Sequence, residues 1–329
     1  MNYLQSFKDE LLKIKSNNFE EKSLALFRYQ AKFNDIYKKY LSSLKINADM
    51  VQSIEQIPFL PIDFFKNHSI TTQNWEPQII FESSGTGKQS TSKHHIEDLE
   101  FYHLVSKIIF NEFYGQLDEF HILALLPSYL ERKNSSLVAM VSYFIKESKS
   151  TKSGFYLNNI KDLLDTLESL KKTNKKVLLM GVTFALLDVA KDYELDLSHV
   201  IVMETGGMKG RREEMIRKEV HQTLKKRFNI EVVHSEYGMT ELLSQAYALK
   251  DGKFQTPPWM KILIRDLNDP FTYLRNHRNG GINIIDLANI HSCAFIETSD
   301  IGITSDDGTF EVLGRFDNSD IRGCNLMVY

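Results

Sequence analysis

Between residues 57 and about 250, short apolar runs alternate with stretches whose apolar residues recur at helical spacing. The runs are Ile79-Ile80-Phe81, Ile122 to Leu126, Val177 to Met180, Val200 to Met203 and Glu231-Val232-Val233. Runs of strand length with few polar interruptions belong in a sheet buried on both faces. Between the last two runs, Ile216, Val220, Leu224 and Phe228 fall four apart, on one face of a helix from Arg211 to Phe228. Strand–helix alternation of this kind predicts an α/β fold, a mostly parallel sheet covered by helices.

The flanking regions differ in texture. Residues 1–50 read as polar and mostly helical, and Leu4, Phe7, Leu11, Leu12 and Ile14 mark an amphipathic helix docked on the body. Charges run through the first residues with no apolar h-region, so no signal peptide is expected. No run approaches the roughly 20 apolar residues that span a bilayer, so integral membrane association is not expected either. Pro58 and Pro61 end the helical segment. After Gly252 the runs shorten: Lys261 to Arg265, Gly281 to Leu287, Ala294 to Thr298 and Thr309 to Leu313, parted by turns such as Asn279-Gly280-Gly281 and Asp306-Asp307-Gly308. The expected division is an α/β core at 1–250, with a helical N-terminal segment at about 1–56, and a small β-rich subdomain at 251–329.

Charge and cysteine content narrow the function classes. Forty Lys plus Arg against 43 Asp plus Glu give a net charge of -3, which excludes nucleic-acid binding by bulk electrostatics. Two cysteines, Cys293 and Cys324, make no disulfide framework, and a reducing cytoplasm is the expected compartment.

Four segments carry chemistry. The first, Ser83-Ser84-Gly85-Thr86-Gly87-Lys88-Gln89-Ser90-Thr91-Ser92-Lys93-His94, follows a predicted strand. Its small residues admit an anion to the backbone, and Lys88 or Lys93 can hold phosphate oxygens. A polar surface loop has the same composition, and Glu82 and Gln89 break the Walker A pattern. The second, Glu204-Thr205-Gly206-Gly207-Met208-Lys209-Gly210-Arg211, lies between a strand and a helix, where open α/β sheets bind ligands, and an ordinary Gly-rich strand-to-helix turn reads the same way. The third, His234-Ser235-Glu236-Tyr237-Gly238-Met239-Thr240-Glu241, follows the next strand; Thr240 can reach a phosphate and Glu241 can hold magnesium, while Glu236 and Tyr237 also read as buried hydrogen-bonding residues. The fourth holds Asp300, a carboxylate expected at a strand end and suited to a ribose diol, and Gly314-Arg315-Phe316-Asp317.

In this order the segments resemble the adenylate-forming (acyl- and aryl-activating) enzymes, and most closely the LuxE-type acyl-protein synthetases, over about residues 57–329. The Ser84-Gly85-Thr86-Gly87 loop is similar to that superfamily's phosphate loop, one threonine short, with Lys88, Ser90, Thr91 and Ser92 beside it. Glu204 to Gly207 looks like its adenine-binding segment, and Tyr237-Gly238-Met239-Thr240-Glu241 matches its Tyr-Gly-x-Thr-Glu motif. Asp300 falls at the position of the ribose-binding Asp, and Gly314 to Asp317 resembles the Gly-Arg-x-Asp hinge, which brings Arg315 to the nucleotide. The larger superfamily carries a mobile C-terminal domain with a lysine beyond that hinge; this sequence ends at Tyr329, so the expected fold is the large N-terminal domain with no mobile C-terminal domain.

The resemblance implies a function: ATP-dependent activation of a carboxylic acid, of the fatty kind, to an acyl-adenylate, followed by transfer to a protein thiol. ATP and Mg2+ are the implied cofactors, with Thr240, Glu241 and Lys88 in the catalytic step. Cys324, near the C-terminus, is the implied acceptor, handing the acyl group to a reductase subunit; Cys293 reads as structural. Three alternatives stand beside this. One is a ligase that loads an acyl carrier protein without self-acylation. Another is a nucleotide-independent acyltransferase using Cys324 with His234 or His291 as base. The third is a non-catalytic adenylate-binding protein. The aromatic stretch at 101–144 fits an acid pocket or helix core.

Overall fold

The computed structural model describes residues 3–83, 91–126, 134–156, 159–206 and 215–316. Helices α1 (Tyr3–Glu10), α2 (Phe19–Phe33) and α3 (Asp35–Ser43) form the N-terminal segment. Leu4, Phe7 and Leu11 are buried as the spacing predicts, but Leu12 is 52% exposed because the chain tightens into a 3₁₀ turn at Leu11–Lys13. Polar side chains weld α2 to the body. Gln30 donates to the carbonyls of Asn289 and Ile290 and accepts from the amide of Ala294, and the Asn34 amide donates to Ser292 O.

Strand β1 (Leu60–Pro61) and the short α4 (Phe64–Asn67) lead to the antiparallel hairpin of β2 (Ile79–Glu82) and β3 (Lys93–Ile96). Next come α5 (Leu99–Tyr114), β4 (Phe120–Leu125), α6 (Ser136–Glu147), β5 (Gly154–Phe155), α7 (Ile160–Ser169), β6 (Lys176–Val182), α8 (Thr183–Asp192), β7 (Val200–Thr205), α9 (Arg217–Phe228), β8 (His234–Tyr237) and β9 (Ala246–Ala248). Their sheet runs β5-β4-β6-β7-β8-β9, parallel throughout except for β9. The mostly parallel, helix-covered sheet is the fold expected from the alternation. Phe110, Tyr114 and Phe144 pack beneath α5 and α6, with Phe110 5.4 Å from Phe120 of β4, so much of this aromatic stretch is core.

One strand sits later than expected. The left-handed Asn229 (φ 49°) ends α9, and exposed Glu231 and Val232 carry the chain back, so pairing starts at His234 and Glu231-Val232-Val233 form no strand.

Strands β10 (Met260–Arg265), β11 (Gly280–Asp286), β12 (Phe295–Thr304) and β13 (Phe310–Arg315) build the second sheet, with β1 parallel to the first half of β12. Because β13 pairs with residues 300–304, β12 runs longer than the sequence suggests, and Asp300 lies inside it rather than at its end. Gly281 is required here: a Cβ would lie 2.0 Å from Nη1 of Arg265, whose guanidinium is buried against the carbonyls of Ile282 and Thr298. No described helix is long and apolar enough to cross a membrane.

Candidate active site at the carboxyl ends of the parallel strands

Strands β7 and β8 end side by side, with Glu204 opposite Ser235 and Thr205 opposite Glu236. Side chains alternate across a strand, so each pair faces a different layer of helices. Glu204 faces α9 and is 2% exposed. Arg217 Nε lies 3.1 Å from one of its oxygens and His221 Nε2 lies 3.6 Å from the same oxygen; Thr183 Oγ1 donates to the other at 2.8 Å. Burial alone would raise this carboxyl, but His221, Arg217, Ser235 and Thr183 outweigh it and hold the group at about 2. Arg217 also donates to the carbonyl of Val312 on β13 and lies 5.0 Å over the ring of Phe254. The Glu204 side chain is thereby spent on bracing the Glu204–Gly206 segment, whose last residue, Gly206, is exposed and in the left-handed region at φ 72°.

Thr205 and Glu236 face the opposite layer. The Thr205 hydroxyl donates to Oε2 of Glu236, which is 6% exposed. Burial pushes the Glu236 carboxyl up to about 7, with the Glu204 charge adding to the rise and the Thr205 bond opposing it.

Tyr237, Asp300 and Arg315 come together from three segments. The Tyr237 hydroxyl donates to Asp300 Oδ2 at 2.7 Å, and Arg315 Nε lies 2.9 Å from Oδ1. Burial and the Asp300 charge push the Tyr237 hydroxyl far above its usual range, so it stays a donor. Asp300 is 6% exposed and Arg315 nearly half exposed, which leaves the guanidinium edge open to a ligand.

The base of the β2–β3 hairpin clamps the polar loop. Ser83 N donates to Ser92 O at 3.0 Å and Ser92 N to Ser83 Oγ at 2.9 Å. His94, one residue after the exposed Lys93, places Nδ1 2.8 Å from the carbonyl of Thr240. Burial lowers this imidazole to about 4, so it is neutral and carries its proton on Nδ1 towards that carbonyl. The hairpin is thus tied to Thr240 and Glu241. From the other side Asn289 Nδ2 donates to Glu241 O at 2.8 Å, and buried Asp286 accepts from Leu243 N, Ser244 N and Ser244 Oγ.

Glu241, 4% exposed, supplies a hard carboxylate oxygen. Among the described residues no group of three or more His, Cys, Asp or Glu could hold a metal by itself. A single carboxylate suits magnesium, which takes most of its shell from water and substrate phosphates. Cys293 is wholly buried, and burial pushes its thiol up to about 12, a packing residue rather than a nucleophile. Ser84, Gly85, Thr86, Gly87, Lys88, Gly207 and Cys324 lie outside the described residues.

Sequence reasoning placed His94 at the end of the polar segment without a role, and did not find Thr183, Arg217, His221, Asp286 or Asn289. Asp286 alone left a signal, an acid inside the run Ile284-Ile285-Asp286-Leu287. The others are scattered polar residues on ordinary elements, brought to the site only by the fold.

A CoA ligase and MatB are among the solved structures that share this fold. A 2-hydroxyisobutyryl-CoA ligase in an open conformation, in complex with 2-HIB-AMP and CoA, superposes with a TM-score of 0.66 at 10% identity, over 94% of this chain and 78% of the ligase. MatB from Rhodopseudomonas palustris with ATP bound gives 0.54 at 15% identity, over 74% of this chain. The chain spans about half the length of MatB, 49%. No curated protein matches in sequence. The family model for "Acyl-protein synthetase, LuxE" matches residues 8–329, and the chain therefore belongs to the LuxE acyl-protein synthetase family.

Proposed function

We propose that this protein activates a carboxylic acid with ATP to an acyl-adenylate and passes the acyl group to a protein thiol. The observation that carries the reading is the convergence of Tyr237, Asp300 and Arg315 beside the Thr240–Glu241 segment. A buried carboxylate held by a phenol and a guanidinium is a fixed acceptor for ribose hydroxyls. The hydroxyl and amides around Thr240, with the polar loop whose base is clamped by Ser83 and Ser92, suit phosphate oxygens.

In the first step a carboxylate oxygen of the acid attacks the α-phosphorus in line. The new P–O bond replaces the bond to pyrophosphate, which leaves with its charge. The residues contribute positioning and electrostatic stabilisation: Asp300 and Arg315 fix the ribose end, Thr240 the phosphate, and Lys88 and Lys93 offset the charge of the leaving group. Glu241 would hold a magnesium ion, which would supply further neutralisation of phosphate charge. In the second step a thiolate attacks the acyl carbonyl, the C–S bond forms, and AMP leaves. Cys324 is the acceptor in this reading, with a reductase subunit or an acyl carrier protein as the next carrier and the cytoplasm as the compartment that keeps the thiol reduced. The acid is of the fatty kind.

ATP–pyrophosphate exchange that depends on added carboxylic acid tests the first step, and exchange that never exceeds the acid-free background overturns it. For the second, ATP, magnesium and the acid should leave a hydroxylamine-labile acyl mass on Cys324. Cys324→Ser should lose this label and keep exchange. Exchange without any label on Cys324 would instead support direct hand-off to a carrier protein.

A further inference from the structure

Resting on the adenylation reading, we infer that Glu236 and Tyr247 form a polar subsite for a hydroxyl group on the apolar part of the acid, so that hydroxylated acids are selected over unsubstituted ones.

The two residues are opposed across the antiparallel β8–β9 pair and share one face of the sheet. Glu236 spends Oε2 on Thr205, and no described residue donates to Oε1. That oxygen lies over Gly238: a Cβ there would stand 2.4 Å from it. Gly238 is exposed and lies between Tyr237, which holds Asp300, and Thr240, so Oε1 faces the strip where the adenylate would lie. Tyr247 is wholly buried, and its hydroxyl has no hydrogen-bond partner among the described residues. After burial itself, the Glu236 charge is the next cause of the rise in Tyr247's pKa, so the hydroxyl lies within the field of that carboxyl. Neighbouring tyrosines are already engaged, Tyr102 with the carbonyl of Ser136 and Tyr114 with His234. Phe113 and Tyr114 pack against Tyr247 at 5.5 and 5.4 Å and make the surroundings apolar.

A buried phenol without a partner carries a desolvation cost. A ligand hydroxyl answers it by accepting from Tyr247, and can donate to Oε1 of Glu236 at the same time. An ammonium suits the place less well. Burial among tyrosines keeps Glu236 from being a committed anion near neutral pH, and a buried cation needs a full counter-charge.

The test is calorimetric binding of matched acids without nucleotide: decanoate against 3-hydroxydecanoate and 10-hydroxydecanoate, and benzoate against 4-hydroxybenzoate. In at least one pair the wild type should bind the hydroxylated member at least about tenfold more tightly, since a site built around a hydroxyl penalises its absence. Glu236→Gln keeps polar atoms in place and should keep the preference, whereas Glu236→Leu should abolish or reverse it. A merely structural Glu236 would weaken both members of a pair alike. The inference is overturned if the unsubstituted acid binds as tightly in every pair, if none of these acids binds, or if Glu236→Leu keeps the preference. Absence of acid-dependent pyrophosphate exchange alongside an intact preference would refute the adenylation reading and leave the subsite standing.

Discussion

Replacing Glu236 by Gln should change stability in a way that depends on pH, and the size follows from its surroundings. The folded protein binds the Glu236 proton with a pKa of about 7, against 4.5 for an ordinary glutamate, because ionisation would put a charge among buried tyrosines. The unfolded chain gives up that proton near pH 4.5, while the folded chain keeps it until about 7. Stability from this group is therefore fully present below pH 4.5 and is lost as the pH rises through 7. The gap of about 2.5 pH units, at 1.36 kcal/mol each, sets a ceiling of about 3 kcal/mol. Between pH 5 and pH 8 about 2 kcal/mol of it is lost. Glu236→Gln has no proton to lose and escapes the penalty. Glu204, ionised at both pH values, and the histidines are common to both proteins and cancel. Urea unfolding of wild type and variant at pH 5 and pH 8 reads the effect: the variant's stability relative to wild type should improve by about 2 kcal/mol at the higher pH. The same relative stability at both pH values would refute the reasoning, because Glu236 would then titrate as an exposed carboxylate does.

Arg217→Met should destabilise by about 2–3 kcal/mol, since it leaves Glu204 buried with only His221 and Thr183, and adding Glu204→Gln should restore part of the loss in urea unfolding. Glu204→Gln alone should flatten the acid side of the stability profile, because the stability from a carboxyl held at about 2 is present above pH 4.5 and lost as the pH falls towards 2. Tyr237→Phe should raise KM for ATP about tenfold in the exchange assay, through loss of the hydroxyl that orients Asp300, and leave kcat within a few-fold. Gly281→Ala should cost about 1–3 kcal/mol in urea unfolding, because the added methyl displaces the buried Arg265 guanidinium.

The parallel sheet was legible because strands buried on both faces leave near-continuous apolar runs, as in Val177–Met180 and Val200–Met203. The strand after α9 was not, because the β-branched pair Val232-Val233 attracts the assignment, while pairing is decided by where the turn after Asn229 lets the chain rejoin the sheet. The length of β12 was hidden for a related reason. Its second half, around Asp300 and Gly302, is polar and glycine-containing, and becomes strand only because β13 folds back on it. In the site, short-range motifs announced themselves by residue type: Tyr237 ends one strand, and Thr240 and Glu241 follow it in fixed order. What holds them did not. His94 reaches Thr240 across 146 positions and Arg217 reaches Val312 across 95, and no local pattern encodes such a pairing.

The supports of the Thr240–Glu241 segment explain why the N-terminal helices belong to the site's architecture although none of their residues faces it. The loop at 286–294 carries the load. On one side Asn289 and Asp286 hold the backbone of Glu241, Leu243 and Ser244. On the other, Gln30 and Asn34 of the α2 region accept and donate bonds to Asn289, Ile290, Ser292 and Ala294 of the same loop. These contacts are buried, so each unmade bond would cost its full desolvation penalty rather than be replaced by water. The arrangement of Thr240 and Glu241 is fixed from α2 through one intervening loop and, from the opposite side, by His94 of the hairpin. Under the proposed adenylation, a Thr240–Glu241 segment held between two such supports meets the phosphates already ordered, which is what electrostatic stabilisation of a charged leaving group requires.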